Sequence, residues 1–252
     1  MLRSEPTMNP WKSTIGAAAV AGVLALAAPA RATTYDAVND FSSSSSTGVF
    51  SYGTGVTGTS FAAYTNYSSS CQGQVPGLGC WQTTTPVSLV PLVGKNLTGA
   101  TFDFATVVLP TNVLLVHPGP ATDSIVRFTA PVSSFYNISG FFELLDTNPS
   151  GVNVVIAVPG TILFSQLLTG PGATNPNTPG ELVPFGATHV FLPAGTIIDY
   201  GVNNAGSFFN DSTGLSLTFT STPEPAAWAM MLIGFAGLGF ALRRKAPGAA
   251  RA

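Results

Sequence analysis

Few side chains between residues 33 and 222 are equipped for chemistry, and their spacing restricts what they could do. His117 precedes Pro118, His189 stands between Thr188 and Val190, and Asp199 lies in the apolar run Ile197-Ile198-Asp199-Tyr200. Hydrolysis needs a nucleophile beside a base, or two carboxylates at a working distance. The chain has no Gly-x-Ser-x-Gly elbow, no His-Glu-x-x-His and no phosphate-cradling glycine loop. The two histidines therefore read as hydrogen-bonded edge or loop residues, and Asp199 as a carboxylate capping turn amides after Ala194-Gly195. Cys71 and Cys80 are the only cysteines. In an exported chain an even count reads as a disulfide, the alternative being a reduced pair. Zinc is disfavoured, because no Cys-x-x-Cys is present. Tyr64, Tyr67 and Trp81 flank the cysteines, with Asn66 and Gln82 adjacent. Such aromatics could stack on pyranose rings beside amide donors, or they could pack a core.

The elements that would hold these residues read as strands. From Val87 onward short apolar runs alternate with turn signals such as Pro118-Gly119-Pro120, Pro159-Gly160 and Pro193-Ala194-Gly195. Expected strands are Leu114–His117, Ile125–Thr129, Tyr136–Leu145, Val152–Val158, Thr161–Leu168, Thr188–Leu192, Ile197–Val202 and Leu215–Thr220. Residues 170–180, rich in Pro, Gly and Asn, read as a long surface loop. No amphipathic helical window interrupts this series. Many short strands joined by Gly/Pro turns predict an all-β fold, a β-sandwich with jelly-roll topology favoured.

Charge narrows the partners. The body has two cations, Lys95 and Arg127, against nine carboxylates, a formal −7. Such a surface cannot neutralise a phosphate backbone, which excludes nucleic acid as a partner.

Both ends read as targeting segments. Arg3 and Lys12 precede an Ala/Val/Leu run over residues 14–28, followed by the overlapping small-x-small sites Ala28-Pro29-Ala30 and Ala30-Arg31-Ala32. Cleavage after Ala32 gives a mature chain from Thr33, the alternative being an uncleaved anchor. The implied partners are the export translocon and signal peptidase. At the other end Pro223 and Pro225 hold the backbone around Glu224 extended. Residues 226–242 carry no charge and would span about 25 Å as a helix, enough for a short membrane crossing. Trp228 stands at its outer edge, and Arg243, Arg244 and Lys245 follow on the cytoplasmic side. On physics alone this reads equally well as a plain anchor.

The string Pro223-Glu224-Pro225-Ala226-Ala227-Trp228-Ala229, its apolar run and its Arg243-Arg244-Lys245 cluster resemble the PEP-CTERM sorting signal of Gram-negative bacteria, in its PEPxxWA variant. The resemblance implies recognition by an exosortase, a membrane-embedded protease, with Glu224 as a recognition residue. Leu115–Pro120, Ile125–Pro131, Leu192–Tyr200, Asp36–Phe41 and Phe209–Leu215 resemble recurring segments of exported bacterial jelly-roll domains. That second resemblance supports a fold and carries no activity. It would bring Asp36, Asp40 and Asp211 near one another, making them candidate ligands of a structural calcium ion; no other cofactor is expected.

The resulting expectation is a signal peptide at 1–32, a jelly-roll-like β-sandwich ectodomain at 33–222, and a sorting tail with a single transmembrane helix at 223–252. Its function would be that of a non-enzymatic surface or matrix protein associated with exopolysaccharide. The alternatives are a carbohydrate-binding module, a cryptic hydrolase, and an ice-binding protein. The last would need a threonine array, of which Thr83-Thr84-Thr85 is a single run without a repeat.

Overall fold

The computed structural model describes residues 32–71, 75–83, 91–175, 178–222, 232–237 and 239–240. In chain order the strands are β1 (Thr33–Asp36), β2 (Phe50–Val56), β3 (Ser60–Ala63), β4 (Asn66–Cys71), β5 (Val75–Gln82), β6 (Leu92–Asn96), β7 (Phe102–Phe104) and β8 (Val107–Leu109). They continue with β9 (Leu114–His117), β10 (Asp123–Thr129), β11 (Ser134–Leu144), β12 (Val152–Val158), β13 (Thr161–Leu168), β14 (Leu182–Leu192), β15 (Ile197–Asn203) and β16 (Thr213–Thr222). Residues 33–222 form one compact unit.

The last eight strands make a jelly roll. In the larger sheet the order runs β14-β11-β16-β9, and in the smaller one β13-β12-β15-β10. Successive strands cross between the sheets everywhere except at the β12–β13 hairpin, the signature of two interleaved Greek keys. The earlier strands widen both sheets: β6, β5 and β4 continue from β9, and β2 and β3 continue from β10. β1 pairs with the end of β16 through Thr33↔Ser221 to Asp36↔Thr218, while β9 pairs with its beginning.

Alternation along the strands builds the core between the sheets. Leu215, Leu217 and Phe219 of β16 point inward with Tyr136 and Phe142 of β11, against Val126 and Phe128 of β10, Val154 of β12, and Tyr200 and Val202 of β15. At the centre Phe128 and Phe219 stack with ring centroids 3.5 Å apart. A second apolar cluster lies on the opposite side of β5, β6 and β9, where Leu78, Leu92 and Leu115 are covered by Val107 and Leu109 of the β7–β8 hairpin. Double coverage explains why β9 reads Leu-Leu-Val without alternation.

On the smaller sheet Arg127 and Asp199 stand directly opposite in the β10–β15 ladder. The guanidinium donates from Nε and Nη2 to the two carboxylate oxygens at 2.7 and 2.9 Å, and lies 4.1 Å over the Phe61 ring. Asp199 Oδ2 also accepts the N–H of Gly58, which has φ of +76°. The expected cap on the turn after Ala194-Gly195 is thus corrected. The arginine across the ladder and the Thr57-Gly58 turn satisfy this buried carboxylate, and the turn at Gly195 closes through backbone bonds with Ala130.

Several expected strands hold to the residue, and two expectations need adjustment. β14 is eleven residues long rather than the five of Thr188–Leu192, because Pro184 and Gly186 are tolerated on an edge strand. The 170–180 segment is a surface loop only in part: Gly172, Ala173 and Gly180 are buried. Residues 232–237 and 239–240 are helical. No helix among the described residues is long and apolar enough to cross a membrane. All of the expected signal peptide at 1–32 except Ala32, and most of the expected transmembrane stretch, lie outside the described residues.

Replacing Phe219 by Ala should remove the central stack and cost about 3–5 kcal/mol. Urea unfolding of the 33–222 body should show a lower midpoint at an unchanged slope.

Candidate functional site

The structure places the two targeting junctions side by side. Thr33, the expected mature N-terminus, opens β1 and donates its N–H to Ser221 Oγ at 3.0 Å. Ser221 Oγ donates in turn to Thr33 O, and Thr34 and Thr220 hydroxyls meet at 3.3 Å. β16 ends at Thr222, whose partner in β11 is Phe135. Ala30, Pro223, Glu224, Pro225, Trp228, Ala229, Arg243, Arg244 and Lys245 lie outside the described residues.

Cys71 and Cys80 form a disulfide between the neighbouring strands β4 and β5. The aromatics expected to face a sugar do not do so as a set. Tyr64 is 1% exposed, and its hydroxyl pairs with Ser124 Oγ at 2.8 Å. Burial raises its pKa. Trp81 is 6% exposed and donates Nε1–H to Ser42 O at 2.7 Å. Both belong to the core, where the need to bury large rings outweighs any ligand role. Tyr67 packs on Trp81 and stays half-buried. Asn66 donates to Thr83 O, and Gln82 is fully buried with no hydrogen-bond partner for its amide. Thr84 and Thr85 lie outside the described residues.

The three candidate calcium ligands are also separated. Asp36 Oδ1 accepts the N–H groups of Val38 and Asn39, and Asp40 Oδ2 accepts that of Asp36, so this pair closes a turn. Asp211 sits instead with Ser150 and near Asp146. Among the described residues no three His, Cys, Asp or Glu side chains gather as metal ligands.

What the fold does assemble is a cleft of about 210 Å³ beside the disulfide, lined in part by His117, Thr106, Asp146, Phe208, Phe209 and Asn210. Phe208 and Phe209 stack at 4.5 Å, and Phe209 is 56% exposed. Asp146 is buried at the base; it accepts from the Thr106 hydroxyl and, at 2.6 Å, from the Ser212 N–H. His117 Nδ1 donates to Pro118 O at 2.7 Å, and burial pushes its pKa down. Asn210 takes φ of +58°, turning the Phe208–Ser212 segment over the cleft. Sequence reasoning quoted Phe209–Leu215 only as a fold marker and gave no role to Phe208, Thr106 or Asp146. The Phe208-Phe209 pair before Asn210-Asp211 was the signal available.

Asp211, next to the cleft, is fully buried. Its Oδ1 accepts from Ser150 Oγ at 2.7 Å, and its Oδ2 finds no donor. Burial, with a smaller contribution from Asp146, pushes its pKa up from 3.8 to about 7, against the pull of the Ser150 bonds.

Residues 221–245 match the PEP-CTERM protein-sorting motif. No curated protein matches the chain. Among solved structures it is similar to the K2 cleaved adhesin domain of Lys-gingipain, at 12% identity over 77% of this chain and 98% of that one, with a TM-score of 0.36. It is similar to the Stig cyclase Fisc from Fischerella sp. TAU, at 10% identity over 64% and 98%, TM-score 0.33. It is also similar to a structure of CBM51-2 in complex with GlcNAc and INT domains from Clostridium perfringens ZmpB, at 12% identity and TM-score 0.32, covering 50% of this chain. The chain spans about a quarter of the length of that last structure, 26%. Similarity at this level assigns neither topology nor activity. The sorting motif implies export and processing by an exosortase, a membrane protease.

A raised carboxylate pKa stabilises the fold at low pH and loses that contribution as pH climbs through the folded value. Asp211→Asn keeps an acceptor for Ser150 and removes the titration. Thermal unfolding should then show a smaller loss of Tm between about pH 5 and pH 8 in the variant than in the parent. Equal losses would mean that Asp211 stays ionised.

Proposed function

We propose that this chain is an exported, non-enzymatic protein of the cell surface or extracellular matrix, handed to an exosortase by its tail and associated with exopolysaccharide. The observation that carries the reading is the continuity of β16 with the sorting motif: Ser221 and Thr222 end the strand and begin the matched segment. A folded body thus presents its tail directly, with the basic cluster Arg243-Arg244-Lys245 on the cytoplasmic side of an inner-membrane intermediate. Its signal peptide is cleaved after Ala32. The absence of an activity of its own is supported by the state of its carboxylates. Asp199 is occupied by Arg127, Asp123 by Thr57 and Asn203, and Asp146 by Thr106 and Ser212. Each holds a loop or a ladder in place through these bonds.

Mass spectrometry of the protein from its own cells is expected to find mature chains that begin at Thr33 and lack Arg243-Arg244-Lys245. Deletion of the exosortase should restore the basic cluster. Intact tails in cells that hold the enzyme would overturn the sorting reading.

A second reading, a carbohydrate-binding module, is favoured by the Phe208-Phe209 platform beside Asn210 at the cleft mouth. An exposed stacked aromatic next to an amide is the combination that a pyranose face and its hydroxyls would use. On this reading Phe209→Ala lowers retention of the body on the organism's exopolysaccharide by about tenfold, equivalent to 1.4 kcal/mol. Tyr64→Phe, buried in the core, leaves retention unchanged.

A further inference from the structure

The end of the sandwich from which the tail departs carries a partly exposed apolar patch. Phe135, second in β11, lies between Thr222 of β16 and Phe191 of β14. Phe191 is 50% exposed, and Val132, in the turn before β11, is 49% exposed. The Phe135 ring stacks on the His189 imidazole at 4.1 Å with planes 6° apart, and lies 5.3 Å from the Phe191 ring.

This grouping depends on an irregularity in the ladder. The β11–β14 register slips between Tyr136 and Ile138, and His189 adopts φ of +56°, a region that non-glycine residues seldom occupy. Asn137 Oδ1 accepts the His189 N–H at 2.9 Å and holds it there. A bulge of this kind re-aims a side chain, and here it lays the imidazole flat on Phe135 at the outer face.

The strands that carry the patch are free of charge, the nearest carboxylates being Asp36 and Asp40 in the β1–β2 segment. Residues 128–142, 182–198 and 213–222 contain no Asp, Glu, Lys or Arg, in a body that carries nine carboxylates. The chain then limits where this end can go. Only Pro223, Glu224 and Pro225 separate Thr222 from the uncharged run that begins at Ala226. Four extended steps reach about 14 Å. Phe191, two strands from Thr222, is about 10 Å away across the sheet. With residues 226–242 in a bilayer, a tether of this length keeps the patch within reach of the headgroups.

We infer that this end of the body seats on the phospholipid bilayer while the tail is still embedded, with Val132, Phe135 and Phe191 entering the headgroup–acyl boundary. The inference rests on the reading of residues 226–242 as a membrane span. Aromatic side chains favour that depth, and uncharged neighbours spare the contact a repulsion from lipid phosphates. Because no cation takes part, the seating draws nothing from anionic lipid and persists at high salt. Thr33 lies at this end too, opposite Ser221, so the patch flanks the points where both targeting segments join the body.

The test uses the full chain in phosphatidylethanolamine/phosphatidylglycerol vesicles containing lipids spin-labelled near the headgroup. An environment-sensitive fluorophore is placed in turn at Phe191→Cys, Val132→Cys, Leu232→Cys in the tail, and Thr174→Cys in the β13–β14 loop. The labels at 191 and 132 are expected to shift to the blue and lose emission to the spin label, at low and high salt and with phosphatidylglycerol omitted. The label at 174 stays bright. Phe191→Asp should release the label at 132 from quenching, which separates seating from mere tethering. Quenching at 232 with bright labels at both 191 and 132 would overturn the seating and leave the membrane span intact. Bright labels at all positions would overturn the span and the seating together. Shielding of the patch only after the processing protease is co-reconstituted would assign it to a protein partner, and the lipid proposal would fall.

Discussion

The contact on which the sandwich depends is the stack of Phe128 on Phe219. One ring comes from β10 in the smaller sheet and the other from β16 in the larger, ninety-one positions apart in the chain. Tyr136 and Tyr200 meet this pair edge-on, and Phe50 and Tyr35 fill the ends. Aromatic pairs contribute about 0.5–1.5 kcal/mol beyond the area that they bury, so the cluster favours one alignment of the sheets over its neighbours. β16 itself is central in the larger sheet, with β11 on one side and β1 and β9 sharing the other. Without Phe219 in place neither the core nor that ladder is complete.

The body handles its charge sparingly. Its two cations both serve its own oxygens: Arg127 grips Asp199, and Lys95 donates to Val38 O at 2.6 Å. The carboxylates near the cleft are held by hydroxyls and amides in the same way. Buried carboxylates of this kind hold loops such as Phe208–Ser212 in a defined shape, and the surface is left acidic and poor in donors of positive charge. That character suits a molecule placed among neutral glycans and lipids better than one that grips polyanions.

Much of this was legible in the chain, and the failures have physical causes. β9, β12 and β13 follow directly from apolar runs bounded by Pro and Gly, and the disulfide follows from parity and export. β2 to β5 escaped notice because small residues such as Ser and Gly are frequent there, and alternation is faint when the outward residue is small, while β6 to β8 are too short, at three to five residues, to show a period. Tyr64 and Trp81 were legible only as aromatics, since burial is a property of the partner strands, not of the residue. Asp199 shows the same limit. Its need for a partner is plain from the apolar run around it, but the identity of that partner depends on the β10–β15 register. The cleft joins residues from three separate connections to strand residues such as His117, and no local window contains it.

The central position of β16 bears on the order of events during export. A chain that crosses a membrane amino end first delivers β1 to β15 before the strand they close around. The larger sheet stays split, with β1 and β9 lacking their common neighbour, until Thr222 has passed through. Pro223-Glu224-Pro225 arrives only three residues later. On such a route the Pro-Glu-Pro segment would reach the outer side just as the body could first shut. A processing protease on that side would then meet a closed body, which an incompletely delivered chain could not offer it.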